Sequence, residues 1–272
     1  MGTQYHISVV APFKKSLSTL KKEIDALLLD INRQMSTYDL HSEISQFNQY
    51  QKTDWFAVSK DLAFVVSSAQ TISKETRGAF DITIAPLIDL WGFGTKTQFS
   101  PPTEQQINRA LKNTGYQLLE VRTLPPAIRK LNKNIRIDLS AIAKGFAVDK
   151  VASLLNQKGY TDFSVEIGGE VRNQGFNAEG KPWRIGMESP RYGDWVVNGI
   201  LLSSNLAIAT SGDYRNYYIK DGVRYSHTID PTTGSPIPHK LASVTVLHES
   251  TMMADAYATA LMVQGEKKGK NP

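Results

Sequence analysis

Apolar side chains recur three or four positions apart in several stretches of the chain, as they do along one face of an amphipathic helix. This spacing predicts helices over residues 17–31, 59–73, 103–112, 142–157 and 251–263. Two of the predicted starts carry capping signals. Ser59 stands where it can cap the second helix, and Thr103 with Gln106 matches the capping-box pattern after Pro101-Pro102.

Runs rich in β-branched and aromatic residues separate these helices. They predict strands near 3–10, 117–122, 127–131, 135–139, 162–174, 183–189, 195–202, 206–210 and 242–248. Strand and helix blocks mixed in this way are typical of an α+β fold with mixed or antiparallel sheets and packed helices. We expect residues 1–265 to form a single domain, as one body or two lobes, and residues 266–272 to form a polar C-terminal tail.

Composition narrows the class of protein. A chain of 272 residues that is 41% hydrophobic and 21% charged can bury a full core. The net charge of +5 is compatible with a nucleic-acid partner. However, the lysines stand in scattered pairs such as Lys21-Lys22, without the interleaved aromatic residues that such a surface usually has. We therefore expect no nucleic-acid partner. The absence of cysteine excludes disulfides, thiolate zinc sites and a cysteine nucleophile, and it fits either the periplasm or the cytosol.

Targeting signals are also missing from the printed sequence. No apolar run approaches the roughly 18 residues of a membrane span. The chain opens directly on a strand-like segment at residues 5–10, without the charged and apolar regions of a signal peptide. This abrupt start leads us to expect that a leader has been removed.

The segment 137–147 holds more residues suited to ligand or metal binding than any other stretch of similar length. A β-branched strand is expected to end at Asp138, turn through small residues including Ala141, and enter a helix with Lys144 on its first turn. An acid, open backbone groups and a cation around one point suit a phosphate-bearing ligand or a metal. The competing interpretation is a capping aspartate and a solvent-facing lysine, and spacing alone slightly favours it.

Two further groups could carry chemistry. Asp255 and Thr259 are four residues apart and so share one helix face, where two hard oxygens could hold Mg²⁺. The competing interpretation, which the pair taken alone favours, is that Asp255 meets the helix dipole and Thr259 bonds back to its own helix. A lone histidine is usually structural, but His227 stands among small polar residues before an Asp-Pro-Thr-Thr-Gly turn, which strengthens the case for an exposed acid–base role. Phe80 could stack on a planar ring or simply belong to the core.

The order of the motifs is more specific than any one of them. Seven motifs in this order resemble those of the ApbE family, the FAD:protein FMN transferases, and the resemblance runs from about residue 1 to 265. The motifs are Met-Ser-Thr-Tyr at 35–38, Gly-Ala-Phe-Asp at 78–81, Asp-Leu-Ser-Ala-Ile-Ala-Lys-Gly at 138–145, Glu-Ile-Gly-Gly-Glu at 166–170, Thr-Ser-Gly-Asp-Tyr-Arg-Asn at 210–216, His-Thr-Ile-Asp-Pro-Thr-Thr-Gly at 227–234 and Ala-Asp-Ala-Tyr-Ala-Thr-Ala-Leu at 254–261.

The resemblance implies a T-fold-like enzyme that takes FAD as substrate and requires Mg²⁺. It would transfer FMN to a threonine or serine of a target flavoprotein through a phosphoester bond and release AMP. The implied targets are subunits of redox-driven ion pumps. The implied location is the periplasm, as an inner-membrane lipoprotein whose membrane contact is a removed lipid anchor. The family commonly continues past residue 265 with another helix and strand.

The resemblance also implies roles for individual residues. It assigns His227 to the neighbourhood of the pyrophosphate, where either His227 or Asp255 is the candidate catalytic base. The implied Mg²⁺ ligands are Asp255, Thr259 and the carbonyls of Ala141 and Ala258. The implied FAD contacts are Met1, Tyr38, Ala79, Phe80, Asp81, Asp138, Lys144 and Ile229.

Two alternative functions remain open from the sequence. One is a FAD pyrophosphatase that uses water and releases FMN and AMP. The bulky Tyr38 argues against it, because an aromatic ring there should shield the phosphate and close the flavin pocket. The other is a FAD-binding carrier without turnover, which should keep most of its flavin affinity without Asp255.

Overall fold

The computed structural model describes residues 2–11, 17–94, 100–188, 197–213 and 216–269; Met1 lies outside them. The helices are α1 (Leu17–Met35), α2 (Glu43–Gln49), α3 (Lys60–Glu75), α4 (Ala85–Leu90), α5 (Glu104–Leu111), α6 (Ala143–Gln157) and α7 (Thr251–Gly269). The strands are β1 (Tyr5–Val9), β2 (Phe56–Ala57), β3 (Leu119–Thr123), β4 (Pro126–Lys130), β5 (Phe163–Ile167), β6 (Glu170–Gln174), β7 (Trp183–Glu188), β8 (Val197–Ser203), β9 (Asn205–Gly212), β10 (Tyr217–Lys220), β11 (Val223–Ser226), β12 (Ile229–Asp230), β13 (Ser235–Pro236) and β14 (Ser243–His248). The α+β prediction with antiparallel sheets is confirmed.

A five-stranded antiparallel sheet with the order β1-β5-β6-β9-β14 forms the centre of the fold. The hairpin between β5 and β6 turns through Gly168 and Gly169, which have φ angles of 63° and 103°. Only glycine adopts such angles without strain, so this turn depends on both residues. The hairpin brings the first residue of β6, Glu170, to the end of the sheet.

Helices α6 and α7 contact each other and cover the sheet, α6 along β5 and β6 and α7 along β9 and β14. The main hydrophobic core lies between this layer and helices α1 and α3. It takes its largest contributions from buried side chains such as Ile31, Leu62, Phe146, Phe163 and Met252. Burial on this scale is the dominant stabilising term for a domain of this size.

Helices α6 and α7 cap each other's N-termini through one aspartate each. The Asp149 carboxylate on α6 accepts hydrogen bonds from the backbone N–H groups of Thr251 and Met252 at 3.0 Å each. In return, the Asp255 carboxylate on α7 accepts from the backbone N–H of Gly145 at 3.1 Å. First-turn N–H groups have no partner inside their own helix, so each aspartate satisfies donors of the other helix. The two helices therefore fix each other's position.

All five predicted helices and their two capping signals are confirmed. Ser59 accepts a hydrogen bond from the backbone N–H of Leu62, and Thr103 with Gln106 forms the complete capping box. Helix α7 extends beyond its predicted end, to Gly269, with a non-helical break at Gly265. Among the described residues, no helix combines the length and apolar character needed to cross a bilayer.

The strand predicted over residues 135–139 is wrong. The segment forms no strand, and at its centre the side chain of Asn48 bonds the backbone of Ile137 where a neighbouring strand would. Its Oδ1 accepts from the backbone N–H of Ile137 at 2.7 Å, and its Nδ2 donates to the carbonyl of Ile137 at 2.9 Å. A buried backbone needs hydrogen-bond partners but not a β-ladder, and one amide side chain supplies both.

Candidate active site

A cavity of about 400 Å³ opens where the N-terminus of α6, the face of α7 and the end of the central sheet meet. This volume is in the usual range for a small-molecule site. Every predicted site residue that the structure describes lines the cavity, with the exception of Ala258. These residues are Tyr38, Ala79, Phe80, Asp81, Asp138, Ala141, Lys144, His227, Ile229, Asp255 and Thr259.

The joint before α6 is held in shape by Asp138. Its backbone N–H donates to the carbonyl of Ile82 at 2.8 Å, and its Oδ1 accepts from the backbone N–H of Ser140 at 2.8 Å. This turn geometry is the local capping that was the competing interpretation for Asp138. The same interpretation is wrong for Lys144, whose side chain is only 26% exposed and points into an acidic site.

Lys144 lies between two buried carboxylates. Its Nζ is 2.9 Å from Glu170 Oε1 and 3.6 Å from Asp255 Oδ1. Glu170 and Asp255 are each 3% exposed. With both acids ionised, the group would carry an excess negative charge, which is costly in a buried place without a further cation.

The pKa values of the group reflect this arrangement. Burial raises the pKa of Glu170 to about 8, and the charge of Asp255 adds to the shift. Burial likewise raises the pKa of Asp255, against the opposing effect of Lys144. For Lys144, burial alone would lower the pKa, but the charges of Asp255 and Glu170 outweigh it and raise the pKa. Such displaced titrations are frequent at functional sites.

The predicted Mg²⁺ ligands are partly assembled. Thr259 follows Asp255 by one helical turn, and its Oγ1 is 3.1 Å from the hydroxyl of Ser211 on β9. Ala141 lines the same cavity. Carboxylate, hydroxyl and carbonyl oxygens are the hard donors that Mg²⁺ prefers, so these three residues fit the ion. In the part of the chain that the structure describes, no cluster of three or more histidines, cysteines and acids offers a rival metal site.

Ala258 does not share this position. It is fully buried within α7 and does not line the cavity. In a regular helix its carbonyl accepts the hydrogen bond from the residue four positions later. Its role as a metal ligand stays a prediction.

His227 closes another side of the cavity. Its Nδ1 is 2.9 Å from the backbone carbonyl of Asn216, which can only accept a hydrogen bond. The neutral ring therefore carries its proton on Nδ1, and Nε2 keeps a free electron pair. Burial lowers the pKa of His227 from 6.5, which keeps the ring in this neutral form near pH 7.

The Asp81 carboxylate forms structural hydrogen bonds inside the wall of the cavity. One carboxylate oxygen accepts from the backbone N–H and the hydroxyl of Thr83 at 2.8 and 2.6 Å, and the other accepts from the backbone N–H of Tyr116 at 2.7 Å. Phe80 and Ile229 are 2% and 3% exposed and form apolar wall. These three residues shape the cavity, and their contact with FAD stays a prediction.

Tyr38 stands at the opening. Its side chain is 72% exposed, and it lines both the main cavity and a neighbouring one of about 240 Å³. Asp138 and Phe93 also line both cavities. Tyr38 therefore lies where the two cavities adjoin.

The sequence prediction missed Glu170. Its motif, Glu-Ile-Gly-Gly-Glu, counted only as one of the seven ordered motifs. A charged residue directly after two glycines at the start of a strand was nevertheless a signal that the sequence offered. The contribution of Ser211 was also missed, because nothing in sequence pairs it with Thr259.

Comparison with known proteins identifies the family. The protein-family model described as "ApbE family" matches residues 1–271 of the sequence, almost the whole chain. The chain belongs to the ApbE family. The resemblance of the ordered motifs is therefore confirmed.

ApbE relatives agree along the full length. A curated Vibrio cholerae protein named FAD:protein FMN transferase is 47% identical over 273 residues, covering 99% of this chain and 80% of its own length. The protein of the same name from Escherichia coli K12 is 38% identical, covering 99% of this chain and 78% of its own. These names confirm the enzyme prediction at the level of the family.

Solved ApbE structures share the fold. The flavin transferase ApbE from Vibrio cholerae has a TM-score of 0.90 and 45% identity, covering 99% of this chain and 86% of its own. The apo form of the Pseudomonas stutzeri flavinyl transferase ApbE also has a TM-score of 0.90, with 37% identity and coverages of 99% and 84%. A second Vibrio cholerae structure is a variant in which a histidine is replaced by glycine.

Proposed function

We propose that this chain binds FAD in the main cavity and transfers its FMN half to a threonine or serine hydroxyl of a target flavoprotein, in the presence of Mg²⁺, with release of AMP. One observation carries the proposal. Hard oxygen donors, a half-buried lysine and a neutral histidine with a free Nε2 all line one cavity of an ApbE-family chain.

Asp255, Thr259 and the carbonyl of Ala141 would hold the Mg²⁺ ion. Bound there, the ion would neutralise the pyrophosphate and stabilise the charge that develops on the departing phosphate oxygen. Lys144 adds a fixed positive charge beside Asp255. Lys144 in the first turn of α6 lines the cavity, and the positive N-terminal end of that helix also favours a phosphate group there.

The transfer itself is a displacement at phosphorus. The hydroxyl oxygen of the target forms a bond to the FMN phosphorus, and the bond from that phosphorus to the oxygen of AMP breaks. His227 Nε2 takes the hydroxyl proton, since its lone pair is free while Nδ1–H is held by Asn216. Asp255 is the less suitable base, because its oxygens face Gly145 and Lys144.

A pH profile tests the role of His227. Its neutral form is the active one, and its pKa is lowered from 6.5, so the base is present above pH 6.5 and is lost only as the pH falls through a lower value. We expect the acid limb of kcat/KM for FMN transfer to have its midpoint below 6.5. His227→Gln should lower the rate roughly 100- to 10,000-fold and abolish that limb. An unchanged limb in this variant would assign the base elsewhere.

Tyr38 should decide between protein and water as the acceptor. Its exposed ring lies between the two cavities and would shield the FMN phosphorus from bulk water. We expect Tyr38→Ala to release free FMN and AMP from FAD without any target, measured by chromatography, while the wild type releases little. Leu40→Ala, at a residue that is 70% exposed and lines only the second cavity of the two, is the matched control.

One assay tests the whole proposal. The protein is mixed with FAD, Mg²⁺ and a target domain, and the target is examined for covalent, fluorescent flavin on a denaturing gel. A labelled target and one AMP for each label support FMN transfer. Equal FMN release with and without the target would instead favour the pyrophosphatase, and FAD left unchanged over hours would favour the carrier.

The proposal extends to location and partners. The family resemblance supports an envelope-side protein whose targets are subunits of redox-driven ion pumps. Fractionation of cells that express the full-length protein tests the location. Labelled flavoproteins recovered from the same cells, identified by mass spectrometry, test the targets.

A further inference from the structure

Glu170 is a buried acid of the cavity wall whose two carboxylate oxygens differ in their surroundings. It is 3% exposed, and within the described residues its Oε2 has no hydrogen-bond partner. Its other oxygen, Oε1, is 2.9 Å from Lys144 Nζ. A buried carboxyl group with an oxygen that lacks a hydrogen-bond partner lowers the stability of the fold. Its place in the cavity wall therefore points to a role other than stability.

The geometry around Lys144 suggests that reason. The ammonium group is 2.9 Å from Glu170 Oε1 and donates a longer hydrogen bond of 3.4 Å to the carbonyl of Ser140, but it stays 3.6 Å from Asp255 Oδ1. Glu170 therefore holds the lysine on its own side. Asp255 Oδ1 stays close to the positive charge of Lys144 but accepts no direct hydrogen bond from it.

The Gly-Gly turn reinforces this position. A Cβ added at Gly168 would stand 3.3 Å from Lys144 Cδ and 3.0 Å from the side chain of Thr3. The glycine lets the lysine stem lie directly against the turn that delivers Glu170. The turn, the stem and the carboxylate thus act together on the ammonium group.

We propose that Glu170 is a positioning residue that holds the Lys144 ammonium group away from Asp255, so that Asp255 can bind a divalent cation. Without the Glu170 carboxyl group, the nearest buried acid for Lys144 is Asp255 itself. The lysine would then hydrogen-bond Asp255 and compete with the cation. This inference rests on the proposed function only in taking Asp255 as a cation ligand.

A double-mutant cycle on cation binding tests the inference without using catalysis. Mg²⁺ is titrated by calorimetry, without FAD, into the full chain and into Glu170→Gln, Lys144→Met and the double variant. Glutamine keeps an acceptor oxygen but removes the charge. We expect Glu170→Gln to weaken Mg²⁺ binding about 10- to 100-fold, the usual cost of losing a group that supports a metal ligand.

The effect of Glu170→Gln in the Lys144→Met variant decides whether Glu170 acts through the lysine. Once Lys144 is replaced by methionine there is no lysine to hold, so adding Glu170→Gln should change the affinity by no more than about twofold. An equal loss in both backgrounds would make Glu170 a direct ligand and overturn the proposal. No loss in either background would overturn it as well.

Two controls separate this role from a general loss of structure. Glu120→Gln removes a surface carboxylate that pairs with Arg129 and should leave Mg²⁺ affinity unchanged. Thermal unfolding with EDTA shows whether each variant folds. If Glu170→Gln does not fold, Lys144→Met alone decides, because it should bind Mg²⁺ more tightly than the wild type, and weaker binding would contradict the proposal.

The result also distinguishes this inference from the proposed function. A wild-type chain that binds no Mg²⁺ contradicts both. A wild-type chain that binds Mg²⁺ and labels its target, but shows the same Glu170→Gln loss in both backgrounds, contradicts only the positioning role.

Discussion

Replacing Asp255 by asparagine should lower FMN transfer by roughly 1,000-fold, the scale of losing a central group that stabilises transition-state charge. Asparagine has nearly the same shape, so the packing of α7 should survive. It removes the only carboxylate among the predicted Mg²⁺ ligands and can turn an NH₂ group toward Lys144 or the backbone N–H of Gly145. The rate of target labelling at saturating FAD and Mg²⁺ measures the effect.

The matched control is Asp61→Asn. Asp61 pairs with Lys150 at 2.8 Å on the outer side of α3, and an ion pair of that exposure contributes at most about 1 kcal/mol. The control should keep nearly full activity. FAD binding by Asp255→Asn, followed separately by flavin fluorescence, shows whether the loss lies in chemistry or in binding. Transfer within about tenfold of the wild type would remove Asp255 from the metal site.

Replacing Gly145 by alanine should damage both stability and activity. An added Cβ would stand 2.3 Å from the carbonyl oxygen of Thr251 and 2.7 Å from the Cα of Met252. Both contacts are with backbone, so no side chain can rotate away, and α7 has to move. We expect unfolding to become easier by about 3 kcal/mol, the upper part of the usual range for an overpacked core.

The displaced helix carries Asp255 and Thr259, so target labelling should fall together with the unfolding temperature. Ser153→Ala on the exposed side of α6 adds no atom to the interface and should raise or preserve stability. Chemical denaturation gives the free energies of unfolding of both variants. A Gly145→Ala chain as stable as the wild type would show that the contact of α6 with α7 is less close than described.

The accuracy of the sequence interpretation depended on how local each signal was. The capping signals at Ser59 and Thr103 were right, because a cap needs only residues three positions apart. The strand expected over 135–139 was wrong for the opposite reason. Its alternating pattern shows that the segment is buried, but the pairing partner is Asn48, almost ninety positions earlier along the chain, and no local pattern announces it.

The site residues show the same difference between local signals and contacts between distant parts of the chain. Ordered motifs sufficed to name the family and to select residues that line one cavity. They did not show that both oxygens of Asp81 are taken by backbone and hydroxyl donors, or that Ala258 lies inside a helix away from the cavity. A motif identifies a residue type at a position, whereas hydrogen-bond partners come from other elements.

By itself, the sequence determined the α+β class, the helices with their caps, and the family, since each of these is written in spacing or in the order of motifs. Only the tertiary structure decided how the charges are paired. The ion pair of Lys144 with Glu170, the crossing of α6 and α7 at Gly145, and the reciprocal caps from Asp149 and Asp255 join elements far apart in the chain. Their energies depend on distances of a few ångströms and on burial, which exist only once the chain has folded.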